Sequence, residues 1–125
     1  MRRIRITWNS GEVVAELRDT PTVKALLAIL PCESSANTWG EEVYFNVPLT
    51  AKSEADAEQV VDPGTVCFWV EGRALALPFG PTPISRGKEC RLVTRCNVLG
   101  RLEGGAAALG SVRDGDAIRV ALIDS

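Results

Sequence analysis

The sequence predicts a mainly β protein: a closed barrel of about eight strands with one or two short helices, formed by residues 1–125 as a single domain. Three observations predict it. Apolar and polar residues alternate through most of the chain, which is the period-two signature of strands with one buried face. Turn-forming clusters separate those segments at hairpin spacing, at Asn9-Ser10-Gly11, Asp62-Pro63-Gly64, Glu71-Gly72-Arg73 and Asp114-Gly115-Asp116. Finally, 125 residues suit one compact unit, in which closure removes the edges that an open antiparallel sheet must protect.

The elements follow in chain order. Residues 3–8 alternate through Ile4, Ile6 and Trp8, and residues 12–17 through Val13, Ala15 and Leu17, so the turn between them makes a hairpin. The period then changes: Thr20 is a good N-cap, Pro21 suits the first helical position, and Val23, Leu26, Leu27 and Leu30 share a face before Pro31. Residues 32–38 are small and polar and read as a connection. Val43, Phe45 and Val47 alternate with Glu42, Tyr44 and Asn46 in a half-buried strand ended by Pro48. Residues 53–59 read as a helical turn or surface loop. Residues 65–70 and 74–79 are apolar strands around Glu71-Gly72-Arg73, and the loop Gly80-Pro81-Thr82-Pro83 belongs at a rim because neither proline donates a ladder hydrogen bond. Residues 91–99 alternate Leu92, Thr94 and Cys96 against Val93, Arg95 and Asn97. Residues 104–109 read as an Ala-rich short helix, and residues 117–123 close the fold through Ile118, Val120 and Leu122.

Composition excludes several chemistries. The chain has no His, so Ser-His-Asp and Cys-His nucleophilic sites and His-ligated zinc are unavailable from it. With 14 Lys and Arg against 16 Asp and Glu it has no field for a phosphate backbone, and no nucleic-acid partner is expected. Arg2 and Arg3 precede an alternating strand rather than the apolar run of a signal peptide, and no stretch approaches the ~18 apolar residues of a membrane span. A cytoplasmic protein without a membrane partner is the expectation. Cys32, Cys67, Cys90 and Cys96 show no C-x-x-C spacing and read as reduced core thiols, with no metal site and no cofactor. Cys90 and Cys96, six residues apart on one strand, would lie ~20 Å apart if extended, far beyond the ~7 Å reach of a disulfide.

Leu30-Pro31-Cys32-Glu33-Ser34 and Asn37-Thr38-Trp39-Gly40-Glu41-Glu42-Val43-Tyr44-Phe45 resemble the signature of a family of small prokaryotic proteins with a cyclophilin-like fold. Residues 72–83, 97–104 and Asp114-Gly115-Asp116 extend the resemblance to nearly the whole chain. It implies a closed barrel of about eight strands. True cyclophilins are prolyl isomerases whose groove carries an arginine on a Phe-His-Arg segment and a Gln-Phe pair in a Gly-Ser-Gln-Phe-Phe run. The corresponding segments here are Val43-Tyr44-Phe45-Asn46, without Arg or His, and Gly72-Arg73-Ala74-Leu75-Ala76. Lowering a rotation barrier of ~18–20 kcal/mol depends on stabilising the twisted amide, and the missing donor removes the main electrostatic contribution.

The candidate site follows. Trp39, Tyr44 and Trp69 can wall an apolar groove, and Arg73, the one cation in residues 65–83, can clamp an anion at its mouth. Thr82 shapes the proline loop. Glu41 and Glu42 are strand neighbours facing opposite ways and do not form a catalytic carboxylate pair. The expected function is a non-catalytic ligand-binding or regulatory module for a small anionic or peptidic ligand. The alternatives are a residual prolyl isomerase or other enzyme, and a homo-oligomeric interaction protein.

Overall fold

The computed structural model describes residues 2–123. The first hairpin joins β1 (Arg2–Trp8) to β2 (Gly11–Leu17) around Asn9 and Ser10, with Trp8 opposite Gly11 and Arg2 opposite Leu17. Its alternation resolves as expected: Ile4, Ile6, Trp8, Val13, Ala15 and Leu17 are buried together. The helix α1 (Pro21–Ala28) starts at Thr20, whose Oγ1 accepts the Val23 amide at 3.2 Å, satisfying one of the donors that every helix start leaves open. Its buried Val23 and Leu26 join the same core.

The remaining strands are β3 (Cys32–Ser35), β4 (Asn37–Thr38), β5 (Glu42–Asn46), β6 (Glu58–Val61), β7 (Thr65–Trp69), β8 (Ala74–Pro78), β9 (Cys90–Leu102) and β10 (Ala117–Leu122), with a 3-10 turn at Ala107–Ser111 before the last. Nine of the ten strands form one hydrogen-bonded path in the order β3-β10-β1-β2-β9-β7-β8-β5-β4. The two ends of that path are consecutive in the chain, separated by Ala36 alone. β3 pairs with β10 and β4 pairs with β5, so residues 32–38 bridge the seam and the barrel is nearly closed. Ala36 reinforces the seam through its N–H, which donates to Asp116 O at 2.9 Å, and its carbonyl, which accepts the Gly115 N–H at 2.8 Å. Phe45, Phe68, Leu75, Leu77, Leu99 and Ile118 fill the interior.

The tenth strand lies outside this path. β6 pairs only with β9, along residues 90–96, while residues 97–102 of β9 belong to the barrel wall beside β7 and β2. A bulge accompanies the passage between layers: Val66 faces Gly100 and Cys67 faces Val98, leaving Leu99 as the extra residue. The outer ribbon covers a second apolar cluster of Val61, Cys67, Ala76, Cys90, Leu92 and Cys96 on the barrel's outer face.

Asn97 holds the passage. It is wholly buried; its Oδ1 accepts the Glu54 N–H at 2.8 Å, and its Nδ2 donates to Thr22 Oγ1 and to Lys52 O, each at 2.9 Å. Thr22 Oγ1 donates in turn to Glu54 Oε2. One amide thus joins α1, the segment leading to β6 and the barrel wall.

The expected connection at residues 32–38 is two short strands, and of the helical turn or surface loop expected at residues 53–59, residues 53–57 are loop and Glu58 begins β6. Both segments pair at a seam or an outer edge, where polar side chains face solvent and no apolar period arises. The Ala-rich segment is a 3-10 turn shifted to Ala107–Ser111 instead of a helix over residues 104–109. Alternation in residues 91–99 breaks at Cys96 and Asn97, which are both buried because the strand changes layers there. No helix among the described residues is long and apolar enough to cross a membrane.

Replacing Asn97 with Ala leaves the Glu54 amide and the Lys52 carbonyl without their buried partner. The expected loss is about 2–4 kcal/mol in urea unfolding. A loss below about 0.5 kcal/mol, the scale of a neutral surface change, would contradict the pinning role.

Candidate functional site

A cleft opens between the outer face of the barrel and the ribbon that covers it. β5 contributes Glu42 and Tyr44, two residues apart and so on the same face; β7 contributes Trp69; β8 contributes Ala76; and β9 contributes Leu92, Val93 and Cys96. Trp39, in the turn between β4 and β5, completes the wall, and the cavity has a volume of about 190 Å³. The floor follows from register. Ala76 stands opposite Tyr44 on one side and Cys67 on the other, so a small side chain lies between larger neighbours.

Two glycines place the tryptophans. A Cβ on Gly72 would sit 2.2 Å from Trp69 Cε3, so the Trp69 ring lies across the β7–β8 turn only because that position is glycine. The ring meets Tyr44 edge-on, with centroids 6.3 Å apart and planes at 85°, a favourable aromatic geometry. Trp39 is followed by Gly40 at φ +59°, where a Cβ would press to 2.9 Å against Pro81 O. The Trp39 N–H donates to Glu42 O at 2.9 Å, and the Glu41 N–H donates to Pro81 O at 2.9 Å. The proline loop is therefore what this turn packs on.

Of the five residues expected at the site, Trp39, Tyr44 and Trp69 meet at the cleft, and Arg73 and Thr82 do not line it. Arg73 is exposed in the β7–β8 turn at φ +49°. Thr82 is buried, with Oγ1 donating to Arg91 O at 2.5 Å and its N–H donating to Ser85 Oγ at 2.8 Å, so it ties the loop to the start of β9. The polar group in the cleft is a carboxyl, where a guanidinium was expected.

That carboxyl belongs to Glu42, which is 5% exposed. Its Oε1 is, among the described residues, the one buried side-chain oxygen or nitrogen without a hydrogen-bond partner. Burial pushes its pKa up to about 7, because an apolar cleft disfavours the ionised form. The nearby thiols Cys67, Cys90 and Cys96 are raised too, first by burial and then by neighbouring negative groups including Glu42; Cys96 reaches about 12. They stay protonated and are poor nucleophiles. All four cysteines are free, and among the described residues no cluster of Cys, Asp or Glu is placed to hold a metal ion.

Glu42 escaped the sequence reading because alternation assigned it to the solvent side of β5. A signal was present. β7 and β8 are apolar on both faces, which marks a sheet region covered on both sides, and a carboxylate on the adjoining strand then has to be buried.

An unfolded Glu42 ionises near 4.5 and the native one near 7, so the folded state holds the extra proton between those values and stability falls as pH rises through them. At 1.36 kcal/mol per unit, the wild type is expected to lose up to about 3 kcal/mol through this group between pH 5 and pH 8, a component absent from Glu42→Gln. Urea midpoints of both proteins at the two pH values measure it; identical losses would refute the assignment.

The fold and the cleft can be set beside known proteins. A hypothetical protein of Archaeoglobus fulgidus, whose structure was solved in solution, superposes with a TM-score of 0.85 at 36% sequence identity, covering 98% of this chain and 95% of that one. No functionally curated protein matches the sequence. The cyclophilin-like family model matches residues 2–121. The chain belongs to the cyclophilin-like family.

Proposed function

We propose that the protein is a non-catalytic ligand-binding module whose site is the cleft between the barrel and its outer ribbon, holding the apolar end of a small molecule or a peptide side chain. The observation that carries this reading is the convergence of Trp39, Tyr44 and Trp69 on one cavity beside a buried carboxyl. Half-buried aromatic walls with a single oriented polar group are the usual composition of a small-molecule site. The volume of about 190 Å³ exceeds the ~150 Å³ of an engineered apolar cavity that binds benzene, so a group of that size fits.

Prolyl isomerisation needs a donor that favours the twisted amide over the planar one. The cleft lining contains no arginine or histidine. A protease-coupled assay on a prolyl peptide is expected to show the uncatalysed rate, and acceleration that survives repurification would overturn the non-catalytic reading.

Two of the three tryptophans face the cleft, so their emission reports on it. Titration with small organic compounds of benzene size is expected to give a saturable change in emission. Trp69→Ala is expected to weaken binding at least tenfold, the scale of losing a buried aromatic anchor. Unchanged affinity in a folded Trp69→Ala variant would place the site elsewhere.

A further inference from the structure

We propose that the cleft is a cage for an alkylated ammonium group, with Glu42 as the counter-charge and Trp39, Tyr44 and Trp69 as its aromatic walls. This rests on the ligand-binding reading and names the chemistry of the ligand.

Four observations combine. The cleft gathers two of the protein's three tryptophans and its only tyrosine, and the negative faces of such rings attract a cation, most strongly where water is excluded. Glu42 is 5% exposed, lines the cavity and leaves Oε1 without a partner, so the cleft has an unmet capacity for positive charge. No lysine or arginine lines the cavity to supply that charge from within. The groups whose charge couples to Glu42 are Cys67 on β7 and Cys90 and Cys96 on β9, and these thiols are held neutral; Tyr44 flanks Glu42 on its own strand.

The walls decide between kinds of cation. A primary ammonium carries three N–H donors and strong hydration, and the cleft offers it mainly carbon surface from Ala76, Leu92 and Val93. An alkylated ammonium spreads its charge over methyl groups, sheds little hydration and fills apolar space. Recognition of quaternary ammonium groups by aromatic cages follows the same physics.

The probes are choline and 3,3-dimethylbutan-1-ol, which has nearly the same shape with carbon in place of the charged nitrogen. In calorimetric titrations at pH 8, choline is expected to bind at least tenfold more tightly than the alcohol. Glu42→Gln, checked for folding by thermal melting, is expected to remove that preference, so that choline binds no more tightly than the alcohol. Choline keeps its charge at every pH, so its affinity reports on the protein: it is expected to rise roughly tenfold from pH 6 to pH 8 as Glu42 ionises around pH 7. Equal affinity for the two probes, or a preference that survives Glu42→Gln, overturns the cage while leaving a neutral apolar cleft in place. Failure of choline to bind also overturns it, and the Trp69→Ala titration then decides separately whether the cleft binds anything.

Discussion

β9 has to belong to two layers at once, and the other features of the molecule are arranged around that constraint. β7 and β8 carry apolar residues on both faces, so a barrel that buries only its interior leaves Cys67 and Ala76 in water. The chain resolves this by running β9 on past the barrel wall and pairing its other half with β6. Two neighbouring residues at the changeover, Cys96 and Asn97, are both buried, an arrangement a regular half-exposed strand does not allow. The Leu99 bulge supplies the bend, and the Asn97 amide meets the backbone groups that the crossing brings inside.

The cleft is the residue of this solution, since the ribbon covers the outer face without filling it. A wide ring on β5 and another on β7 meet beside the small Ala76 floor. The carboxyl of Glu42 is caught in the same space, nearly buried, and among the described residues no lysine or arginine lines the cavity with it. Ionisable groups with shifted pKa values cluster at functional sites, and this one destabilises the fold whenever it is charged.

Much of the fold was legible in the sequence. The alternation of residues 3–8, 12–17 and 117–123 names the buried face of β1, β2 and β10, and Thr20-Pro21 marks the helix start at the position observed. Strands at the seam and on the ribbon were not legible. Cys32–Ser35 and Glu58–Val61 each expose one face, and their covered faces carry a single apolar residue apiece, Cys32 and Val61, too few to show an apolar period. At the site, the three aromatic residues were found by type, because large flat side chains suit a groove wall. Arg73 was misplaced since the turn geometry that exposes it depends on how the Trp69 ring lies over Gly72, a contact no spacing rule contains. Glu42 could be found only from the two-faced apolar pattern of β7 and β8, since the alternation of β5 itself puts it on the solvent side.

The two apolar clusters are separate. One fills the barrel and includes the helix and the first hairpin; the other lies beneath the ribbon and carries the cleft. Changes at Leu92 and Val93, on the ribbon side, alter the shape of the cleft without entering the barrel interior, where the fold's cohesion resides. This partition lets the walls of the cleft change shape while the scaffold stays constant.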